Sequence, residues 1–290
     1  MIASLVLFAV AGPPWIGVRM GADKEQVVVE HVMRQSPASC AGLKDGDRIV
    51  DVLGKAVHTP REVSLAVAAA TDKVRVKLLR AGKELDLDIV PASRPTDTEL
   101  AQLDLLGTPL PDFAALAVVR GRKRSSSDFK DRMVLVEHGA SWCGPCRESE
   151  PLLEALSQKY PEQELLVLGV TREKETPKGA DAAAPILAPS PPFSAHAPQA
   201  TFTQLRDPEG TKSGAASVSL LPTFVFYGKD GTARWIQSGF GRDLQAQLNA
   251  VIRAEQSKGP GAVLAPAAIR TRDECGRPVK RSAAAAPTGH

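Results

Sequence analysis

The segment SWCGPCRESEP at residues 141–151 constrains this chain more than any other feature, because it places two cysteines at a strand-to-helix junction. The apolar run MVLV at 133–136 predicts a buried strand before it, and residues 151–160 have a helical composition after it. Unpaired N–H groups and the helix dipole stabilise an anion at a helix N-terminus, which lowers a thiol pKa from ~8.5 to roughly 7 or below. We therefore expect Cys143 to be the attacking thiol and Cys146, one turn on, the resolving thiol.

Two other uses of the cysteine pair are less favoured. The chain has four cysteines, too few for a disulfide-rich scaffold. A structural zinc site needs four ligands, and no second pair stands at metal-ligand spacing among Cys40, Cys275, His138 and His196. A disulfide that closes so short a loop restrains little unfolded-chain entropy. The sequence thus predicts redox chemistry, with no metal and no cofactor besides a redox-active Cys143–Cys146 disulfide.

The elements around the cysteines predict an α/β fold. Apolar runs at 165–170 and 224–227 predict further strands, and KDG at 229–231 is typical of a hairpin turn after the second run. Leucine, valine and isoleucine at three- and four-residue spacing predict a closing helix over 241–252. A strand, a helix, a strand and a hairpin suggest one α/β sheet.

The section before it predicts a small, mostly-β module with one good helix. VRVKL at 74–78 and LDLDI at 85–89 alternate as half-buried strands do, and Ala81-Gly82 between them predicts a hairpin. TPRE at 59–62 is a capping box with proline at the first helical position, which predicts a helix through about Ala70. Residues 36–38 are interpreted as a turn.

Composition divides the chain further. The N-terminal residues MIASLVLFAVAG have the apolar run and small-x-small ending of a secretory signal, although no basic residue precedes them, and a buried first strand is the alternative. The run is shorter than the ~20 residues that span a bilayer, so we expect at most a transient membrane tether before cleavage. The predicted sections are a signal at 1–13, a β module at 14–91, a linker at 92–106, an α/β domain at 107–256 with a surface loop at 175–200, and a disordered tail at 257–290. Within the linker, Leu103, Leu105 and Leu106 suggest a short helix.

Charge and aromatic content argue against nucleic acid as a partner. The formal net charge is only +3, and aromatic residues make up 4% of the chain. Neither a strong basic footprint nor interleaved aromatic side chains is present in the sequence.

The β module resembles a bacterial-type PDZ domain in four pieces of sequence: 36–38, 41–43, 46–50 and 54–57. The resemblance implies a loop whose backbone N–H groups bind a peptide's C-terminal carboxylate, formed here by Trp15, Ile16, Gly17 and Val18. The peptide would add a strand to the sheet. Val63 and Val67 are candidates to line the groove beside it; the alternative is that both are core residues.

The α/β domain resembles thioredoxin in VLVEHGA before WCGPC. GTPLPDF at 107–113, RDPEG at 206–210 and LPTF at 221–224 are more similar to its TlpA/ResA-type extracytoplasmic branch. The resemblance implies that Pro222 is a cis-proline beside the disulfide, and that Glu137 is a buried acid that shuttles the proton of the resolving thiol. An exposed, solvated Glu137 is the alternative. Substrate contacts are expected from Trp142, Gly144, Pro145, Leu221 and Thr223.

One position departs from that branch, which usually carries an acid three residues after the second cysteine. Ser149 stands there, between Glu148 and Glu150. The departure concerns the substrate side of the site rather than the dithiol itself.

These features predict a periplasmic or otherwise extracytoplasmic thiol–disulfide oxidoreductase. We expect it to reduce protein disulfides, to draw on an upstream electron donor outside the chain, and to recruit a peptide or protein through its PDZ module. The alternative is a PDZ-centred adaptor whose thioredoxin-like domain binds or senses without turnover.

Overall fold

The computed structural model describes residues 13–24, 26–173, 202–208, 210, 212–214 and 218–258. Within these ranges the chain forms two compact units, residues 13–93 and residues 94–258. The predicted surface loop at 175–200 lies outside the described residues, as do residues 1–12 of the predicted signal and residues 259–290 of the predicted tail. No helix in the described ranges combines the length and apolar character that a membrane span requires.

The first unit is an antiparallel β module that carries helices α1 and α2. Its elements are β1 (Pro14–Trp15), β2 (Val18–Asp23), β3 (Gln26–Val32), α1 (Pro37–Ala41), β4 (Arg48–Val52), β5 (Lys55–Ala56), α2 (Pro60–Ala68), β6 (Val74–Arg80), β7 (Lys83–Ile89) and β8 (Ala92–Ser93). The main sheet has the order β2-β3-β4-β6-β7, with β5 on β4, while β1 pairs with β8. Strand β2 therefore forms an edge, where main-chain groups face away from the sheet.

Local sequence signals account for much of this unit. The Thr59 hydroxyl accepts the Glu62 N–H at 3.3 Å and the Glu62 carboxylate accepts the Thr59 N–H at 3.1 Å, so the predicted capping box is confirmed. The predicted hairpin is confirmed as β6–β7, turning at Ala81 (φ 50°) and Gly82 (φ 78°). The predicted turn at 36–38 is wrong, because Ser36 accepts the Ser39 N–H and caps the short helix α1.

The second unit is an α/β domain built on one mixed sheet. Its elements are α3 (Asp97–Leu105), β9 (Ala117–Arg120), β10 (Met133–Gly139), α4 (Gly144–Lys159), β11 (Leu165–Thr171), β12 (Thr203–Arg206), β13 (Thr223–Tyr227), β14 (Ala233–Ser238) and α5 (Leu244–Gln256), with 3-10 turns at Phe113–Ala115 and Ser126–Phe129. The order is β14-β13-β10-β11-β12-β9, in which β10, β11 and β12 are parallel and the outer neighbours antiparallel.

Strands β10 and β11 are buried along their whole length because the sheet is covered on both faces. Met133 and Leu135 pack on one face with leucines of α4 and α5, whereas Val134 and Val136 pack on the other face with α3. The alternation of a strand therefore decides which helix each β10 side chain meets.

The interpretation of residues 92–106 as a linker is wrong for most of its length. Thr96 and Glu99 form a capping box, and α3 follows it and packs on β14. Ala101 and Leu105 are buried in the same core cluster as Val134. Helix α3 thus belongs to the α/β domain and covers one end of its sheet.

We predict that Leu105→Ala destabilises the α/β domain by about 2–5 kcal/mol, because Leu105 is 6% exposed and the substitution leaves a cavity under α3. Leu220→Ala is the matched control, since that leucine is 42% exposed. Differential scanning calorimetry of the whole chain measures both. An unchanged transition in Leu105→Ala would show that α3 behaves as a linker.

Candidate active site

The cysteines lie where β10 passes into α4. Cys143 is the N-cap of α4, and its Sγ accepts the Cys146 N–H at 3.3 Å. The two cysteines form a disulfide, with Cys143 6% exposed and Cys146 fully buried. The predicted strand-to-helix placement is therefore confirmed, and an approaching sulfur reaches Cys143 before Cys146.

The loop before β13 packs directly against this pair. The Leu221–Pro222 peptide bond is cis, as predicted, and the half-buried Leu221 contacts the cluster of Ala140, Cys143 and Cys146. The Pro222 carbonyl accepts the Gly239 N–H at 2.7 Å, so β14 holds the loop in place. The role of Pro222 toward a substrate stays a prediction.

The predicted substrate-contact residues differ in accessibility. Trp142 is 67% exposed, Pro145 is exposed and Gly144 is half-buried. Thr223 is fully buried instead, and its hydroxyl lies 2.7 Å from the Leu220 carbonyl and 2.8 Å from the Ser238 hydroxyl. The Thr223 side chain therefore points inward, so a substrate would have to contact Thr223 through its backbone, and this contact stays a prediction.

Two charged residues outside the sequence predictions hold the segment before the cysteines. The Ser141 N–H donates to the Glu173 carboxylate at 2.9 Å, and the Arg147 guanidinium donates to the Ser141 carbonyl at 2.7 Å. Ser141 is thereby fixed from both sides, two residues before Cys143. Glu173 gave no local signal, because it follows β11 and reaches the site only through the parallel pairing of β10 and β11.

Glu137 is fully buried and is linked to Cys146 through the Ser149 hydroxyl, so its prediction as a buried acid is confirmed. It points to the α4 side of β10, where its Oε1 lies 2.7 Å from the Ser149 Oγ. Its Oε2 has no hydrogen-bond partner in the described part of the chain. Burial raises the pKa of Glu137 to about 8, and the Glu150 charge adds to the rise, whereas the Ser149 hydrogen bond opposes it.

His138 is the next residue along β10 and points to the opposite face, where it is 1% exposed. Burial and the positive charge of Arg172 lower the pKa of His138 to about 3, while the Asp207 charge acts in the other direction. The imidazole is thus neutral at physiological pH and lies across the sheet from Glu137.

The candidate peptide site lies in the loop before β2. The Ile16 carbonyl accepts the Ala38 N–H at 2.8 Å, and the Gly17 carbonyl accepts the Met33 N–H at 3.0 Å. In a trans peptide the N–H points away from its carbonyl, so the N–H groups of Gly17 and Val18 point away from these partners. Gly17 has φ +81°, and a Cβ there would meet the Ser36 Cβ at 2.2 Å. Only glycine suits this position.

The side chains around that loop are mostly inward. Ile16 is 4% exposed and packs in the core, while Trp15 and Val18 are half-buried. Val63 and Val67, at 0% and 5% exposed, belong to the same core. Their predicted place along the groove is corrected to the alternative of core packing, because the apolar face of α2 turns into the domain.

Family models match both units. A model described as PDZ domain matches residues 14–90, and a model described as Thioredoxin matches residues 124–185. Each match covers only its own part of the chain.

Individual proteins match over short stretches. The chain is 41% identical over 54 residues to Thioredoxin-like protein YneN of Bacillus subtilis, which is 19% of this chain and 31% of that protein. It is 32% identical over 83 residues to a probable periplasmic serine endoprotease DegP-like of Marinomonas, which is 28% of this chain and 18% of that protein. A crystal structure from Chlorobium tepidum, named for the thiol:disulfide interchange protein DsbE, is 29% identical with a TM-score of 0.42 and covers 52% of this chain and 96% of that one.

We predict that Glu137→Gln stabilises the oxidised protein at neutral and alkaline pH. The pKa of Glu137 rises from an ordinary value of 4.5 to about 8 on folding, so the folded state holds a proton that the unfolded state has released. Wild-type stability therefore falls by about 1.4 kcal/mol per pH unit between these two values, and the variant lacks this loss.

Calorimetric unfolding of the α/β domain between about pH 4 and pH 9 measures the effect. Glu148→Gln is the matched control, because Glu148 is an exposed carboxylate on α4, the helix that faces Glu137. The advantage of Glu137→Gln should be absent near pH 4 and grow with pH. A pH-independent difference would contradict the buried-acid assignment.

Proposed function

We propose that this chain, which contains a PDZ domain followed by a thioredoxin domain, is a thiol–disulfide oxidoreductase that acts on protein substrates. The observation that carries the proposal is the Cys143–Cys146 disulfide at the N-terminus of α4, with Cys143 as the more accessible sulfur. The buried Glu137 behind it supplies a group that accepts and returns a proton near neutral pH.

The chemistry follows from this placement. In the reduced enzyme the Cys143 thiolate, stabilised by the helix N-terminus, attacks one sulfur of a substrate disulfide and releases the other as a thiolate. The Cys146 thiol then loses its proton to Glu137 and attacks the Cys143 Sγ. This step releases the second substrate thiol and leaves the Cys143–Cys146 disulfide, so two electrons have passed to the substrate.

The direction of electron flow is proposed to be reductive. Gly144 and Pro145 between the cysteines are typical of reducing thioredoxins, whose potentials lie at roughly −270 mV against about −120 mV for strong oxidants. Return of the enzyme to its dithiol form then requires an electron donor outside the chain. A measured potential more oxidising than that of glutathione would contradict this direction.

The location is proposed to be extracytoplasmic. Two observations support it: the secretory pattern in residues 1–12, and the similarity of the first domain to a protein whose name describes it as periplasmic. The substrates in this setting are cysteines of exported proteins.

The PDZ domain is proposed to recruit a protein by its C-terminus. The Gly17 and Val18 N–H groups point away from Ala38 and Met33, the donors to the neighbouring carbonyls, and β2 is an edge strand that begins at Val18. A peptide carboxylate on these N–H groups and a peptide strand along β2 form the expected complex. The last peptide side chain is expected to be apolar, because no histidine stands at the start of α2.

We predict that the wild-type chain catalyses reduction of insulin by dithiothreitol and that Cys143→Ser abolishes this activity. Cys146→Ser should instead retain the first step and accumulate a mixed disulfide through Cys143, because the resolving thiol is missing. Turbidity measures turnover, and non-reducing electrophoresis with mass spectrometry identifies the trapped substrate. Equal inactivity of wild type and Cys143→Ser would favour the adaptor function.

We predict that a peptide with an apolar C-terminal residue binds the full chain and that C-terminal amidation weakens binding at least tenfold. Amidation removes the charge that the loop N–H groups are expected to bind. Fluorescence polarisation with labelled peptides measures the affinity. The same peptide followed by one glycine amide is the control for side-chain contacts, and equal affinity of the free and amidated forms would contradict the carboxylate site.

A further inference from the structure

A single serine hydroxyl lies between two acceptors behind the disulfide. The Ser149 Oγ is 2.7 Å from the Glu137 Oε1 and 2.8 Å from the Cys146 carbonyl oxygen. Ser149 is fully buried, as are both residues it contacts. A hydroxyl has one hydrogen to donate and lone pairs that accept, so it cannot donate to both oxygens at once.

The protonation state of Glu137 decides which way this hydroxyl points. When Glu137 is ionised, Ser149 donates to its carboxylate, since a charged acceptor makes the stronger hydrogen bond. When Glu137 is protonated, the acid donates to the Ser149 Oγ and the serine hydrogen turns to the Cys146 carbonyl. Rotation of one hydroxyl therefore leaves the Glu137 Oε1 hydrogen-bonded in both states.

We propose that Ser149 is a positioning residue that holds the Glu137 carboxyl group under the resolving cysteine and keeps it able both to accept and to return a proton. The proposal rests on the oxidoreductase function proposed above and assigns a role to the position that departs from the resembled branch. Ser149 acts through Glu137 and does not itself react with a sulfur.

The proton balance of the resolving step is simple. The Cys146 thiol gives its proton to the Glu137 carboxylate, the Cys146 sulfur bonds to the Cys143 Sγ, and the substrate sulfur leaves with the electron pair of the broken bond. During this step the Ser149 hydroxyl turns from Glu137 to the Cys146 carbonyl. On re-reduction the same movements run in reverse, and the proton returns to a cysteine.

The other groups that face Glu137 place it in a mostly neutral surrounding. On α4, the Glu150 charge raises the Glu137 pKa, and Arg120 of β9 lies 3.5 Å from the Glu150 carboxylate. Across the sheet, Glu137 is paired with Gly169 of β11 and with Phe224 of β13. Gly169 is paired in turn with the neutral Gln204 of β12. Within the described residues Ser149 is the hydrogen-bond donor to the Glu137 carboxylate, so its removal acts mainly on the ionised form of Glu137.

The test compares Ser149→Ala and Ser149→Thr, each in the wild-type background and in Glu137→Gln. Ser149→Thr keeps the hydroxyl and should behave as wild type, whereas Ser149→Ala removes the hydroxyl that donates to the Glu137 Oε1. Ser157→Ala is the matched control, because it removes a hydroxyl from a half-buried position two turns further along α4.

The first measurement is the pH dependence of unfolding of the oxidised protein, which needs no turnover. In wild type the free energy of unfolding stops falling with pH once the pH passes the pKa of Glu137 in the folded state. In Ser149→Ala this pH should be higher by about one unit or more, because the ionised carboxylate has lost one hydrogen bond. In the Glu137→Gln background Ser149→Ala should show no such pH dependence. The same pH-independent loss in both backgrounds would overturn the proposal and leave Ser149 with a packing role.

The second measurement is the resolving step itself. Reduced protein reacts with Ellman's reagent at Cys143, and the attack of Cys146 then releases a second thionitrobenzoate, identified by its loss in Cys146→Ser. The pH profile of this second release should shift upward by a similar amount in Ser149→Ala, with rescue in Ser149→Thr. An unshifted profile would overturn the proposal even if insulin is reduced normally, whereas a shifted profile without insulin reduction would overturn only the proposed function.

Discussion

Helix α4 packs against strand β10, and this contact places the two cysteines, Ser149 and Glu137 relative to one another. The crossover from β10 through α4 to β11 joins parallel strands, so the helix must start at the carboxyl end of β10 and lie along the sheet. Cys143 is then at the helix N-terminus, and Cys146 faces inward one turn later. Ser149 follows at a further three residues on the same side of the helix, which brings its hydroxyl over Glu137.

The same packing destabilises the ionised form of Glu137 and brings its pKa close to the working pH. The side chains before Glu137 on its face of β10 are Met133 and Leu135, and both belong to the apolar core beneath α4 and α5. An ionised carboxylate is poorly solvated there, which is why folding favours its protonated form. The stability that Glu137 costs at neutral pH is offset by the apolar burial around it. The result is a group whose pKa lies near the working pH, as proton transfer requires.

Sequence reasoning succeeded where a signal is local and failed where a contact is distant. The capping box at Thr59 and the hairpin at Ala81-Gly82 depend on neighbouring residues, and the spacing of the two cysteines at a strand end favours redox chemistry over a zinc site or a structural disulfide. The sequence indicates only a short helix around Leu103, Leu105 and Leu106, and not the full α3, because the apolar side chains of α3 are buried only by strands that follow later in the chain. The inward direction of the Thr223 side chain cannot be predicted locally for a related reason, because it depends on the register of β13 with β10 and β14.

The position of Ser149 illustrates this limit most sharply, because the sequence marked it only as a missing acid. The structure supplies a carboxyl group to the same place from the strand rather than from the helix, through a 2.7 Å contact between Glu137 and Ser149. His138, one residue along β10, is desolvated as strongly and is also neutral, yet it lies on the other face and away from α4. Burial alone therefore does not define the redox role of a titratable group. In the proposed mechanism the face of the sheet defines this role, since the side toward α4 is the one on which Ser149 links a carboxyl group with the resolving cysteine.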